Sequence, residues 1–228
     1  MSFWLPKPAI LGIALLWFGT APAHAVMVDV TVTGLATDVG IGVASVFSVG
    51  QSMSATFTYD SASPGIPSLI LTRKLYPSAV TGGSFAIDGY LGSVAAGRIN
   101  LADDDPTLND RFVLTGVGIT AASILTHDPV SFTILLEDAS QAAFSSLDLP
   151  LALPDLGSFT ERSWQLLFTP VPLLGFDPTA FVGGRLTTLE IRVHAVPGPA
   201  AALLLLVGTG LLALLARAKH MVGRRPNA

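Results

Sequence analysis

The densest set of reactive side chains is Asp103, Asp104 and Asp105, followed within five residues by Asn109 and Asp110. Hard cations take several oxygen ligands, and carboxylates beside an Asn in one short loop could supply them to calcium. The spacing is not that of an EF-hand. A loop starting at Asp103 carries Leu108 where the turn needs Gly, and Leu114 where a bidentate Glu belongs. Asp and Asn also dominate turns for local backbone reasons. Residues 103–110 are therefore either a weak calcium site or a solvated loop between strands, and no metal ligand or cofactor is assigned.

Other chemistry is sparse. Glycoside hydrolysis needs two carboxyl groups that converge in space. Between residues 26 and 195 the Glu residues are Glu137, Glu161 and Glu190. Glu137 with Asp138 is the best acidic pair, and the alternative is a solvated strand end. His127 and His194 are the histidines of that segment, the first in a His-Asp-Pro turn and the second in a linker. Both read as solvated. Gly50-Gln51-Ser52-Met53-Ser54 misses the nucleophile-elbow pattern at its last position. There is no Gly-rich phosphate loop with a following Lys and no His-Glu-x-x-His. Cys is absent, which removes thiol catalysis, Cys-ligated zinc and iron–sulfur clusters. No catalytic residue is assigned, and a non-enzymatic protein is expected. Among aromatics, Trp164 shares strand parity with Leu166 and Phe168, so a core position competes with a sugar platform. Tyr59, Tyr76 and Tyr90 are better candidates for a wet face.

Charge narrows the partners. Residues 26–195 hold all sixteen Asp and Glu but seven of the twelve Lys and Arg, a net charge of −9 against −4 for the whole chain. A domain this acidic is a poor partner for nucleic acid. It suits cations or neutral glycans.

The elements that would hold these side chains are short strands. Residues 28–33 alternate apolar and polar, as a half-buried strand does. Similar runs occupy 43–49, 53–59, 84–88, 111–114, 131–136, 163–168 and 186–194, separated by Pro, Gly, Ser and Asp clusters such as 60–67. Residues 142–147 suit a short helix or turn. The expected fold of residues 26–195 is one all-β domain, an antiparallel β-sandwich of jelly-roll type.

The two ends differ from this pattern. Lys7, an apolar stretch over 9–18 and Ala23-His24-Ala25 read as a secretory signal peptide over residues 1–25, cleaved between Ala25 and Val26. Such a leader implies Sec-type export. Near the other end, Val196-Pro197-Gly198-Pro199 precedes an uncharged run over 200–216 that holds eight Leu. As a helix its seventeen residues would span about 26 Å, close to the ~30 Å hydrocarbon core. Arg217, Lys219, Arg224 and Arg225 follow and should stay cytoplasmic, leaving residues 26–195 outside the inner membrane.

This order of motif, transmembrane helix and basic tail resembles the PEP-CTERM sorting signal of Gram-negative bacteria. Val196, Pro197 and Pro199 match its Val-Pro-Glu-Pro-like motif, and Gly198 stands where the family usually has Glu. The resemblance covers residues 196–228. It implies an exosortase as partner, cutting near the motif, and a destination at the cell surface or in an extracellular polysaccharide matrix. Phe57-Thr58-Tyr59-Asp60, the Asn109-Asp110 turn and the Gly183-Gly184-Arg185-Leu186 stretch also resemble, loosely, the small β-sandwich ectodomains found ahead of such signals. A glycan-binding or glycan-cleaving domain on the same scaffold, and an ectodomain that stays tethered in the periplasm, are the competing expectations.

Overall fold

Alternation becomes a wall with an apolar inside. In β1 (Val26–Val39) Val28, Val30 and Val32 are fully buried while Asp29, Thr31 and Thr33 face outward. In β2 (Ser52–Asp60) Met53, Ala55, Phe57 and Tyr59 take the inner side against Ser54, Thr56 and Thr58. The computed structural model describes residues 26–170 and 180–195, which belong to one unit. The expected signal peptide, with Ala25, lies outside the described residues. So do the sorting motif Val196 to Pro199, the apolar run and the basic tail. Among the described residues no helix is long and apolar enough to cross a membrane.

The remaining strands are β3 (Ile66–Pro67), β4 (Arg73–Ile87), β5 (Tyr90–Asp105), β6 (Asn109–Ala121), β7 (His127–Asp138), β8 (Glu161–Pro170) and β9 (Phe181–Ala195). From β4 onward each pairs antiparallel with its predecessor in the chain, apart from the two-residue β3, which sits on the start of β4. β2 pairs with both β1 and β4, and β9 returns to β1. The sheet therefore closes on itself as an eight-stranded antiparallel barrel. The all-β antiparallel expectation holds. The two-sheet sandwich is corrected, because consecutive strands hydrogen-bond to each other all the way round and none crosses to a second sheet.

Closure needs local bends, and bulges supply them. The register shifts between Thr33 and Gly34 in β1, and between Tyr76 and Val80 in β4. A further shift in β1 falls between Ala36 and Asp38, and there Gly184, the partner of Ala36, lets β9 approach β1: a Cβ on it would collide with the Leu35 carbonyl oxygen. An eight-stranded barrel has an interior just wide enough for side chains to fill. Phe57, Phe85, Phe112, Phe132, Trp164 and Phe168 do much of the filling here. Phe132 and Trp164 stack with ring centroids 5.8 Å apart and planes 9° from parallel.

The ends are stoppered by irregular chain. At the upper end a 3₁₀ turn, Ile41–Val43, inserts Val43, and the turn after it inserts Phe47. This replaces the strand expected over 43–49: Val43 and Phe47 plug the barrel, while Val46 and Val49 stay exposed. At the lower end, where β1 begins and β9 finishes, residues 139–160 cross the opening and bury Leu149 and Phe159. Residues 142–147, expected as a helix or turn, form no helix there.

Candidate functional site

The lower end gathers most of the charged groups. β5 ends at Asp105 and β6 starts at Asn109, so residues 105–109 form a tight hairpin. Asp104 (φ 51°) and Asn109 (φ 55°) take the left-handed backbone that their short polar side chains tolerate. Asp105 is fully buried. Its Oδ2 accepts hydrogen bonds from Arg73 Nε at 2.6 Å and Thr72 Oγ1 at 2.7 Å. Its Oδ1 accepts from Arg73 Nη2 at 2.9 Å and from the backbone N–H groups of Thr107 and Leu108 at 2.9 and 2.8 Å. The Arg73 guanidinium, with these further donors, holds the carboxyl far below the usual carboxylate range. Asp105 is thus a staple between two hairpins and has no oxygen to spare for a ligand.

Glu137 and Asp138 are equally committed. Arg111 Nε donates to Glu137 Oε2 and Asn109 Nδ2 to Oε1, both at 2.9 Å. Burial opposes ionisation of Glu137, and these bonds outweigh it, keeping the carboxyl below its ordinary range. Asp138 points the other way and is buried. It accepts the N–H groups of Ser140 at 2.9 Å and Ala142 at 3.0 Å, shaping the start of the 139–160 crossing. Neighbours on a strand face opposite sides. This pair therefore cannot converge on one bond of a substrate.

Asp103, Asp104 and Asp110 remain. Each offers a carboxylate oxygen, and the three lie within 4.8 Å of one another. Asp110 is fully buried and accepts the N–H groups of Asp104 and Phe144, each at 2.8 Å. Asp103 Oδ1 is buried without a hydrogen-bond partner. Burial, then the charges of Asp110 and Asp104, pushes the Asp103 carboxyl up. Three carboxylate oxygens suit a hard cation, as part of the roughly six to eight that calcium takes. The fold thus brings three residues of the acidic run together and removes Asp105 and Asn109 from the set.

Beside this cluster, on the outer wall, runs a cleft of about 500 Å³ between the β3–β4 hairpin and β5–β6. Ile66, Leu75 and Val113 line it, with Arg73, Lys74 and Arg111 at its margin. These cations already face acids: Arg73 Asp105, Arg111 Glu137, and Lys74 Asp148 at 3.2 Å.

The aromatic candidates divide. Trp164 is buried against Phe132, as its parity with Leu166 and Phe168 indicates. The tyrosines are corrected. Tyr59 and Tyr76 are buried, with hydroxyls donating to the carbonyls of Pro150 and Leu147 in the 139–160 crossing. Tyr90 is half-buried and donates to Ala122 O at 2.5 Å. Each ring fills the barrel near an end and its hydroxyl reaches a loop carbonyl, so none forms a wet platform. His127 is also corrected: it opens β7 as a buried side chain beside Gly42. His194 lies in β9, not in a linker, with Nε2 2.9 Å from Asp29 Oδ2. Sequence reasoning passed over the exposed aliphatic tip of the β3–β4 hairpin. Its signal was Leu69-Ile70-Leu71 in a stretch otherwise rich in turn residues.

Comparison of the chain with protein-family models, with characterised proteins and with solved structures returned no match.

Proposed function

We propose that this is an exported, non-enzymatic β-barrel protein that an exosortase-type system processes and delivers to the cell surface or an extracellular polysaccharide matrix. The order of Val196 to Pro199, the apolar run 200–216 and the basic tail carries this reading. Two structural features support it. Val26 pairs with Ala195, so a leader before the first and a sorting segment after the second attach to neighbouring strands. The inner volume is filled with apolar side chains, and the best acidic pair is consumed by Arg111 and backbone N–H groups. Contact with a neutral polysaccharide would fall to the outer wall, where half-buried Thr31, Thr33 and Thr56 and exposed Thr188 form a ladder whose hydroxyls bond in the pairs Thr31–Thr56 and Thr33–Thr188.

The test is the mass of the exported protein made with and without an exosortase in the host. Loss of the segment beyond the motif only when the enzyme is present is the expected result. Arg225 retained in both hosts would overturn processing. Replacing Pro197 and Pro199 with Ala should leave insertion intact and block the cut, whereas Gly198→Glu should preserve or improve it.

A further inference from the structure

We propose that the tip of the β3–β4 hairpin, Leu69, Ile70 and Leu71, is a lipid-contacting element that rests against the bilayer holding the tethered chain. The inference rests on the reading that residues 200–216 cross a membrane.

The tip is hydrogen-bonded at its base and apolar at its end. Leu69 is 104% exposed, Leu71 87%, Ile66 56% and Ile70 44%. Ordered turns in water carry Gly, Asn, Asp, Ser or Pro, and contiguous exposed aliphatic side chains mark an interface. The turn is nevertheless held in place. The Ser68 N–H donates to Arg73 O and the Arg73 N–H to Ile70 O, both at 3.1 Å. The Asp103 N–H donates to Thr72 O at 3.0 Å, and Asp105 grips both Thr72 and Arg73. The conformational cost of presenting these side chains is thus met before anything binds.

Position selects the occupant. The tip projects from the lower end, where Ala195 pairs with Val26 and the Ser61 N–H donates to Val26 O at 3.0 Å. Ile66 follows Ser61 by five residues. Five residues also separate Ala195 from Ala200, at most about 18 Å of extended chain. A membrane entered at residue 200 therefore lies close to the end of the barrel that carries the tip. A protein partner fits less well. Three aliphatic side chains on a narrow projection fall short of the ~800 Å² per partner of a standard protein interface. They match the depth to which an apolar anchor enters a headgroup layer.

The chain has no Cys, so single labels are clean. Full-length Leu69→Cys and Leu125→Cys carry an environment-sensitive fluorophore and are reconstituted into phosphatidylcholine–phosphatidylglycerol vesicles. Leu125 is the control, 77% exposed at the upper end. The label at 69 should be quenched by doxyl groups on the acyl chains and lose quenching by aqueous iodide, while the label at 125 shows the reverse. If the chain floats with the vesicles and both labels stay open to iodide, the lipid contact is rejected and the anchor stands. Shielding at 69 without doxyl quenching reports burial against a second copy or the chain itself and also rejects the lipid contact. Doxyl quenching at both positions rejects a contact specific to the lower end. A chain that does not float overturns the anchor reading and the contact with it.

Discussion

Asp105 and Asp103 stand two residues apart in β5 and act on folding in opposite directions. Asp105 is held below its ordinary value of 3.8 by Arg73 and its other donors, so its stabilising contribution is present above that pH and is lost as the pH falls below it. Asp103 is pushed up by burial and by Asp110 and Asp104, so its charged form opposes folding and stability is lost as pH rises through its folded value. Asp103→Asn should therefore raise Tm at pH 7, with the gain vanishing near pH 3, where the parent carboxyl is protonated. Asp105→Asn should lower Tm at pH 7 and matter less in acid. Thermal melting in millimolar calcium separates the two uses of residues 103–110. A rise in the parent that Asp103→Asn abolishes identifies a cation site, and identical melting leaves a hydrogen-bonded connection. The sequence marks this run as unusual, but Asp105's role depends on Thr72 and Arg73, more than thirty residues away, so the run alone cannot show it.

Strands whose inner and outer residues differ sharply were legible. β1, β2 and β7 alternate cleanly, and the expected runs at 28–33, 53–59 and 131–136 fall inside them. β5 escaped notice because Gly92, Ala95, Ala96 and Gly97 blur the alternation and Asp103 to Asp105 disguise its end as a loop. Residues 43–49 misled in the other direction: a plug needs apolar side chains as much as a strand does. The element most sensitive to a small change is β9 at its bend. Gly184→Ala should cost about 1–3 kcal/mol, because the added methyl meets backbone that cannot move aside. Gly157→Ala, where a Cβ meets nothing within 4 Å, should be nearly silent. Urea unfolding of the two variants against the parent measures the difference.

At the scale of the molecule, sandwich and barrel share one local pattern, an apolar face on every strand, and differ only in whether the first and last strands meet. That contact joins residues 26–39 to 182–195, a separation no periodicity encodes. The closed wall concentrates the core around Phe132, which touches the rings of Phe57, Phe85 and Trp164. Phe132→Ala should therefore destabilise the whole barrel by about 3–5 kcal/mol in a single cooperative step, checked by calorimetry.

The meeting of β1 and β9 also fixes how the barrel bears load. β8 pairs with β9 through residues 163–167, so among the described residues the last strand is paired in the sheet with β1 alone from Leu186 to Ala195. A pull on Ala195 from below acts along β9 and across its ladder bonds, so it loads the bonds to β1 together, in shear. A load on Ala195 is therefore carried into the barrel by the seam between its first and last strands.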